Sequence, residues 1–147
     1  MRIAIVAVGK IKDRGLRSVL DDYLGRIRRY AKLEEIELKD GSAAEVAARF
    51  AKAVDARGRS VALEVDGAAW SSVRLAQYVG ECELASVPSL SFLVGGAYGL
   101  PPEVSRAADV RLSLSAMTLP HRLARVVLAE QIYRAYTIRR GEPYAHE

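Results

Sequence analysis

Pro120 is followed at once by His121 and Arg122, with Arg125 three residues further on. On a helix, at about 100° per residue, these three side chains share an arc of roughly 100° on one face. They would crowd the helix N-terminus, where unpaired peptide N–H groups already set up a positive field. Cations there have the unfavourable sign against the helix dipole. An anion relieves the arrangement, and phosphate is the natural candidate. Solvated arginines, each with an interaction of only about 0.3 kcal/mol, would explain the same residues.

Two further segments have the residue types of a ligand site. Gly95, Gly96 and Gly99 follow an apolar run, and glycine lets the backbone approach a ligand and adopt positive φ. The spacing is neither G-x-G-x-x-G nor a P-loop, because no G-K-[ST] follows. An ordinary tight strand-to-helix turn would look the same. Leu114, Ser115, Ala116, Met117, Thr118 and Leu119 are consecutive, uncharged and without a regular period. They are too apolar for a surface loop. Their peptide groups suit an adenine edge while Leu and Met pack its faces; a buried crossover with internally satisfied polar groups is the other reading. Glu130 and Arg134, four apart, read as a structural ion pair. The tail carries Tyr144 and His146 and is either disordered or folded over a base. Cys82 stands alone, which excludes an internal disulfide and a thiolate zinc cage. With only two histidines, no metal site is expected.

The elements that must position these residues alternate between strand and helix. Residues 3–8 form a short Ile/Val run, the pattern of a strand buried on both faces. An apolar stripe from Leu16 to Tyr30 predicts a helix over about 13–31. Residues 34–39 alternate with period two, as a strand with one wet face does. Ser42 and Glu45 form a capping-box pattern for a helix ending near Arg57 and Gly58. Residues 60–66 read as the third strand, with Gly67 opening a turn and Ser71 or Ser72 capping a helix to about Ala85. Residues 89–94 and 110–113 complete the strands, with a short helix opening at 101–103 between them. A last helix runs from about Pro120 to Arg139. This order predicts a single α/β domain over 1–147 with a mainly parallel sheet. Ligands in such sheets sit beyond the carboxyl ends of strands, so the candidate loops are Asp66-Gly67, 95–99 and 114–119.

The chain has 147 residues, is half hydrophobic and carries a net charge of +4. That fits one soluble globular domain. No apolar run is long enough to span a membrane, and the opening segment lacks a signal-peptide core. A cytoplasmic protein is expected. Residues 1–32 hold nine Lys/Arg against three Asp, a net of +6. Such a basic face, with Arg14 and Arg17 among its candidate phosphate contacts, suggests a polyanion such as nucleic acid, although a solvated helix reads the same. Leu123, Val126, Val127, Leu128, Ile132, Tyr133, Ala135 and Tyr136 wrap most of the last helix. A helix apolar nearly all round must be covered on several sides, so a two-fold partner is expected to bury Val126, Tyr133 or Tyr136.

Several of these segments together resemble one known family. The run 93–100 (LVGGAYGL), the run 112–121 (LSLSAMTLPH), Arg125, the run 130–135 (EQIYRA) and Pro143-Tyr144 resemble the ribosomal RNA large subunit methyltransferase H family, the pseudouridine N3-methyltransferases of the SPOUT superfamily. The opening IAIVAVG and the length match too, so the resemblance covers the whole chain. The LSLSxMTLPH run is its most specific part.

The resemblance implies an α/β fold with a C-terminal trefoil knot, a homodimer, and S-adenosylmethionine bound in the knot. Its cofactor site would include Leu63, Gly95, Gly96 and residues Leu114 to Leu119. The implied substrate is a pseudouridine in a stem-loop of large-subunit rRNA, modified at N3 on the assembled ribosome. His121, Arg122, Arg125, Tyr133, Arg134 and Tyr144 would lie near the RNA or the transferred methyl, with His121 a candidate base. Relatives commonly end Pro-Tyr-His and then a basic residue. Here His146 is displaced by one and Glu147 reverses the charge, so Tyr144 matches the pattern and His146 does not. Two rivals remain: a SPOUT methyltransferase acting on tRNA or another rRNA site, and a non-catalytic ribosome-associated module. An intact cofactor loop argues against the second.

Overall fold

A computed structural model describes residues 1–146. The elements run β1 (Arg2–Val8), α1 (Arg14–Ile27), β2 (Leu33–Leu38), α2 (Ala43–Ala53), β3 (Arg59–Ala69), α3 (Ser72–Leu84), β4 (Ser89–Val94), α4 (Pro102–Ala107), β5 (Val110–Ser113) and α5 (His121–Arg140). A 3-10 turn at Pro143–His146 follows. The five strands form one sheet in the order β2-β1-β4-β3-β5, and every pairing is parallel. The predicted α/β class holds, with a sheet that is parallel throughout.

Burial follows from this layering. β1 and β4 are interior strands, and Ile3, Ile5, Val6, Leu90 and Phe92 are fully buried. On one face α1, α3 and α5 pack Leu20, Leu24, Ile27, Val79, Leu128 and Ile132 into a single core. On the other face α2 and α4 bring Val46, Phe50 and Val104 against Val6 and Leu93. Each fully buried aliphatic side chain contributes about 1.5–3 kcal/mol. The predicted capping box is present: Ser42 Oγ accepts from Glu45 N at 3.2 Å, and Glu45 Oε1 accepts from Ser42 N at 3.0 Å.

Four expectations are corrected. Gly67 does not open a turn, because β3 continues to Ala69. The register against β5 slips between Leu63 and Ala68, so both face Leu112. A Cβ on Gly67 would lie 2.8 Å from the Arg111 backbone; the glycine lets two strands close up. The Asp66-Gly67 candidate loop is therefore strand. α2 ends at Ala53, short of Gly58, because Val54 is already extended. α1 ends at Ile27, and Arg29 and Tyr30 close a turn back onto Arg26 and Ile27. Val126, Tyr133 and Tyr136 are already 8%, 9% and 3% exposed within one chain. α1 and α3 cover them, so these residues do not require a partner.

Candidate active site

A cavity of about 230 Å³ opens where the middle of β3 and the carboxyl ends of β4 and β5 meet the start of α5. Each wall has a local cause. The slipped register in β3 presents Leu63, Glu64 and Val65. β4 ends at Val94, and Gly95, Gly96, Ala97 and Gly99 curve over the opening. Gly99 takes φ +79°, a conformation open to glycine at little cost, and its N–H donates to Gly96 O at 3.0 Å. A Cβ at Gly95 would lie 2.4 Å from the Gly99 carbonyl carbon. Gly95 is thus required by closure of the loop on itself.

The third wall is the connector after β5. Ser113 Oγ donates to Ser115 O at 3.0 Å, and Met117 N donates to Ser115 Oγ at 3.0 Å. These bonds fold the segment back so that Leu114, Ser115, Met117, Thr118 and Leu119 face the cavity. Ala116 is exposed and does not line it. His121 and Ala124 on the first turn of α5 complete the wall. Pro120 offers no side-chain cap, so the first peptide N–H groups of α5 stay free of one. Burial first, then the nearby Arg122 and Arg125, depress the His121 pKa below its usual value, with Asp40 opposing. The imidazole is held toward its neutral form.

Arg125 is placed otherwise than expected. It is 1% exposed. Its Nη1 donates to Glu37 Oε2 at 2.6 Å and Glu35 Oε2 at 3.4 Å, and Nη2 to Gly9 O at 2.9 Å and Val8 O at 3.4 Å. A guanidinium this buried, with both Nη groups committed to two carboxylates and the end of β1, is closed to phosphate. Arg17 is likewise engaged, with Glu35 Oε1 and Asp21 Oδ1 both at 2.6 Å. These bonds raise its pKa further above the ordinary arginine value. Arg14 and Arg122 are exposed.

Tyr133, Arg134 and Tyr144 come together, but away from the cavity. The Tyr133 and Tyr144 rings lie 4.6 Å apart. Arg134 sits 5.0 Å over the Tyr144 ring and pairs with Glu130 at 3.0 Å, as the spacing predicted. Tyr144 donates to Glu130 Oε2 at 2.7 Å. Burial, with the bonds to Tyr23 and Glu130, pushes the Tyr144 pKa well above its usual value, so the phenol keeps its proton. Arg134 is 13 residues from His121, roughly 20 Å along the helix. His146 is exposed beside a second cavity of about 540 Å³ that Arg134 and Gln131 also line.

Sequence reasoning missed Glu64. Among the described residues it is the sole Asp, Glu, Lys or Arg on the 230 Å³ cavity wall. Its signal was present: a carboxylate inside the apolar strand run over residues 60–66, beside Leu63. The described residues contain no group of three or more His, Cys, Asp or Glu placed to hold a metal, and no helix long and apolar enough to cross a membrane.

Comparison with known proteins places the chain in a family. A family model described as a predicted SPOUT methyltransferase matches residues 1–146. A protein of Sorangium cellulosum named Ribosomal RNA large subunit methyltransferase H is 52% identical over 146 residues, covering 99% of this chain and all of the relative. Proteins of the same name from Geobacter sulfurreducens and Clostridioides difficile are 42% and 41% identical, covering 99% and 98% of this chain and 100% and 99% of theirs. A solved structure described as a probable methylase family protein from Haemophilus influenzae superposes with a TM-score of 0.57 at 11% identity. It covers 95% of this chain and 66% of the other, and shows the likeness of fold.

Proposed function

Because the chain belongs to the SPOUT methyltransferase family, we propose that it is an S-adenosylmethionine-dependent methyltransferase acting on N3 of a pseudouridine in large-subunit rRNA on the assembled ribosome. One observation carries this reading. Three segments far apart in sequence, one in the middle of β3 and two that follow β4 and β5, converge on one cavity. Leu63, Gly95, Gly96, Leu114, Ser115, Met117, Thr118 and Leu119 all line it. The names of the full-length relatives support rRNA as the substrate class.

The residues fit the cofactor. Leu63, Leu114, Met117 and Leu119 offer apolar walls to a flat heterocycle, and the Ser115 and Thr118 hydroxyls with nearby peptide groups offer its edges partners. When bound, S-adenosylmethionine supplies a methyl on a positively charged sulfur, whose transfer to N3 leaves the neutral thioether and displaces the imide proton. The protein has to align N3 and accommodate that proton. His121 is on the cavity wall and held toward its neutral form, so it accepts the proton. The uncapped start of α5 favours negative charge on the base. Arg14 and Arg122 are left for phosphates.

The same reading includes a cytoplasmic homodimer and a knotted C-terminal segment. Tyr133 and Arg134 lie too far along α5, and Tyr144 in the turn beyond it, to reach their own chain's cavity, and a two-fold partner would bring this cluster to one. The test is tritiated methyl incorporation into intact ribosomes, separated subunits and protein-free rRNA, with light scattering for the oligomer. Incorporation confined to ribosomes with mass mapping to pseudouridine N3 is expected. Equal incorporation into protein-free rRNA, or incorporation into tRNA, overturns the substrate assignment. A monomer overturns the shared site.

A further inference from the structure

Glu64 is unusual for its place. It stands on β3 where the register slips, half-buried, among Leu63, Val65, Leu100 and Leu114. The Ser105 hydroxyl of α4 favours its ionised form. Its charged neighbours are Asp66 on its own strand and Arg111 on β5, and His121 of α5 lines the same cavity. Burying a carboxylate in an apolar wall is unfavourable unless something compensates it. No cation in the described chain touches it closely enough to form an ion pair: every salt bridge found involves other carboxylates. Ser105 and Arg111 offset this only in part, and a cation that enters the cavity adds to them.

We propose that Glu64 is the side chain by which this cavity distinguishes a sulfonium cofactor from its neutral thioether product. The inference rests on the reading that the cavity binds S-adenosylmethionine. The other lining groups are apolar side chains, hydroxyls, peptide groups and His121, which suit the neutral adenine and ribose of substrate and product alike. The ammonium and carboxylate of the methionyl end offset each other and are present in both. The charge on sulfur is the difference between them, and an anion on the wall acts on that difference. Glu64 thereby favours the methyl donor before transfer and loses its hold on the product afterwards.

Burial raises the Glu64 pKa, with Asp66 adding to the effect and Ser105 and Arg111 opposing it. A cationic ligand favours the ionised carboxylate. Binding of the sulfonium compound therefore releases protons as pH falls toward that pKa, and binding of the thioether releases fewer.

The experiment is calorimetry on the full chain with S-adenosylmethionine and S-adenosylhomocysteine, at several pH values and in two buffers of different ionisation enthalpy. Glu64→Gln keeps the shape and removes the charge. The sulfonium-over-thioether preference is expected to fall about tenfold, the scale of a partly screened ion contact, with thioether affinity nearly unchanged. Loss of both affinities together assigns Glu64 to the ribose or ammonium and overturns the proposal, as does loss of neither. Failure of the unaltered protein to bind either ligand removes the cofactor reading itself, and this proposal with it. Ser105→Ala is the second variant, for the case where the Gln variant does not fold. It removes a hydroxyl that favours the ionised form. The pH at which sulfonium affinity reaches half its plateau is expected to rise, and an unmoved midpoint overturns the proposal.

Discussion

Arg125→Met tests whether this residue belongs to the core or to an RNA surface. Arg125 is 1% exposed and holds Glu37 at 2.6 Å, Glu35 at 3.4 Å and the Gly9 carbonyl at 2.9 Å. Removing one partner of a buried ion pair costs about 3–5 kcal/mol. Here the penalty is reduced, because the Glu35 and Glu37 side chains remain 14% and 24% exposed and Arg17 still pairs with both, at 2.6 and 3.7 Å. The loss should be about 2–3 kcal/mol. For a chain of this size that lowers Tm by roughly 6–10 °C. Thermal and urea melts followed by circular dichroism read the loss, and adding Glu37→Gln should recover part of it. A buried guanidinium releases no counterion, so the salt dependence of ribosome binding should keep its slope. Arg122→Ala is the contrast: its melt should be unchanged while the slope falls by about one unit. An Arg125→Met protein with an unaltered Tm and a slope reduced by one would refute the reasoning and restore Arg125 to the RNA surface.

Gly95→Ala forces a Cβ to within 2.4 Å of the Gly99 backbone and should lower the melting temperature. A Cβ at Gly96 meets only the Val8 side chain, at 3.1 Å; Gly96→Val should melt nearly normally yet lose about tenfold or more in cofactor affinity by calorimetry. The folded state holds His121 below its usual pKa, so the unfolded chain binds more protons as pH falls through about 6.5, and stability should fall with it. His121→Gln should flatten that slope in urea midpoints between pH 5.5 and 7.5; a slope unchanged by the substitution would exclude His121 as its source. Ser42→Ala breaks the capping box and should cost about 1 kcal/mol in urea unfolding, with methyl transfer unaltered.

The sheet was legible because its signals are local. Period-two and all-apolar runs marked the strands, and Ser42 with Glu45 marked the start of α2, each within a few residues of its observed place. β3 was misread because a glycine ordinarily signals a turn. At Gly67 the requirement is set by Arg111, 44 residues later in the chain, whose backbone would lie 2.8 Å from a Cβ. No local pattern carries that information. The over-reading of α5 has a similar source: its apolar circumference implied a cover, and only the packing shows that α1 and α3 supply it.

The charge pattern misled for a related reason. A net +6 over residues 1–32 subtracts Asp13, Asp21 and Asp22 but not the acidic partners that other segments bring. In the fold Arg17 turns to Asp21 and Glu35, Arg26 to Asp22, and Arg2 lies 4.0 Å from Glu34. Glu34, Glu35 and Glu37 of β2 supply much of this compensation, and they come from outside the basic segment. What stays exposed nearest the site is Lys10, Lys12 and Arg14, which follow the carboxyl end of β1, together with Arg122 at the start of α5. All four lie on the carboxyl-end side of the sheet, as the cavity does. The positive field is therefore narrower than composition suggested. A field focused at the mouth of a pocket orients an incoming polyanion, whereas a diffuse basic surface only attracts it. The same neutralisation explains why Arg125 and Arg17 looked like ligand residues in sequence. Arginine is favoured both for phosphate and for buried pairing with carboxylates, and only the position of Glu35 and Glu37 decides between them.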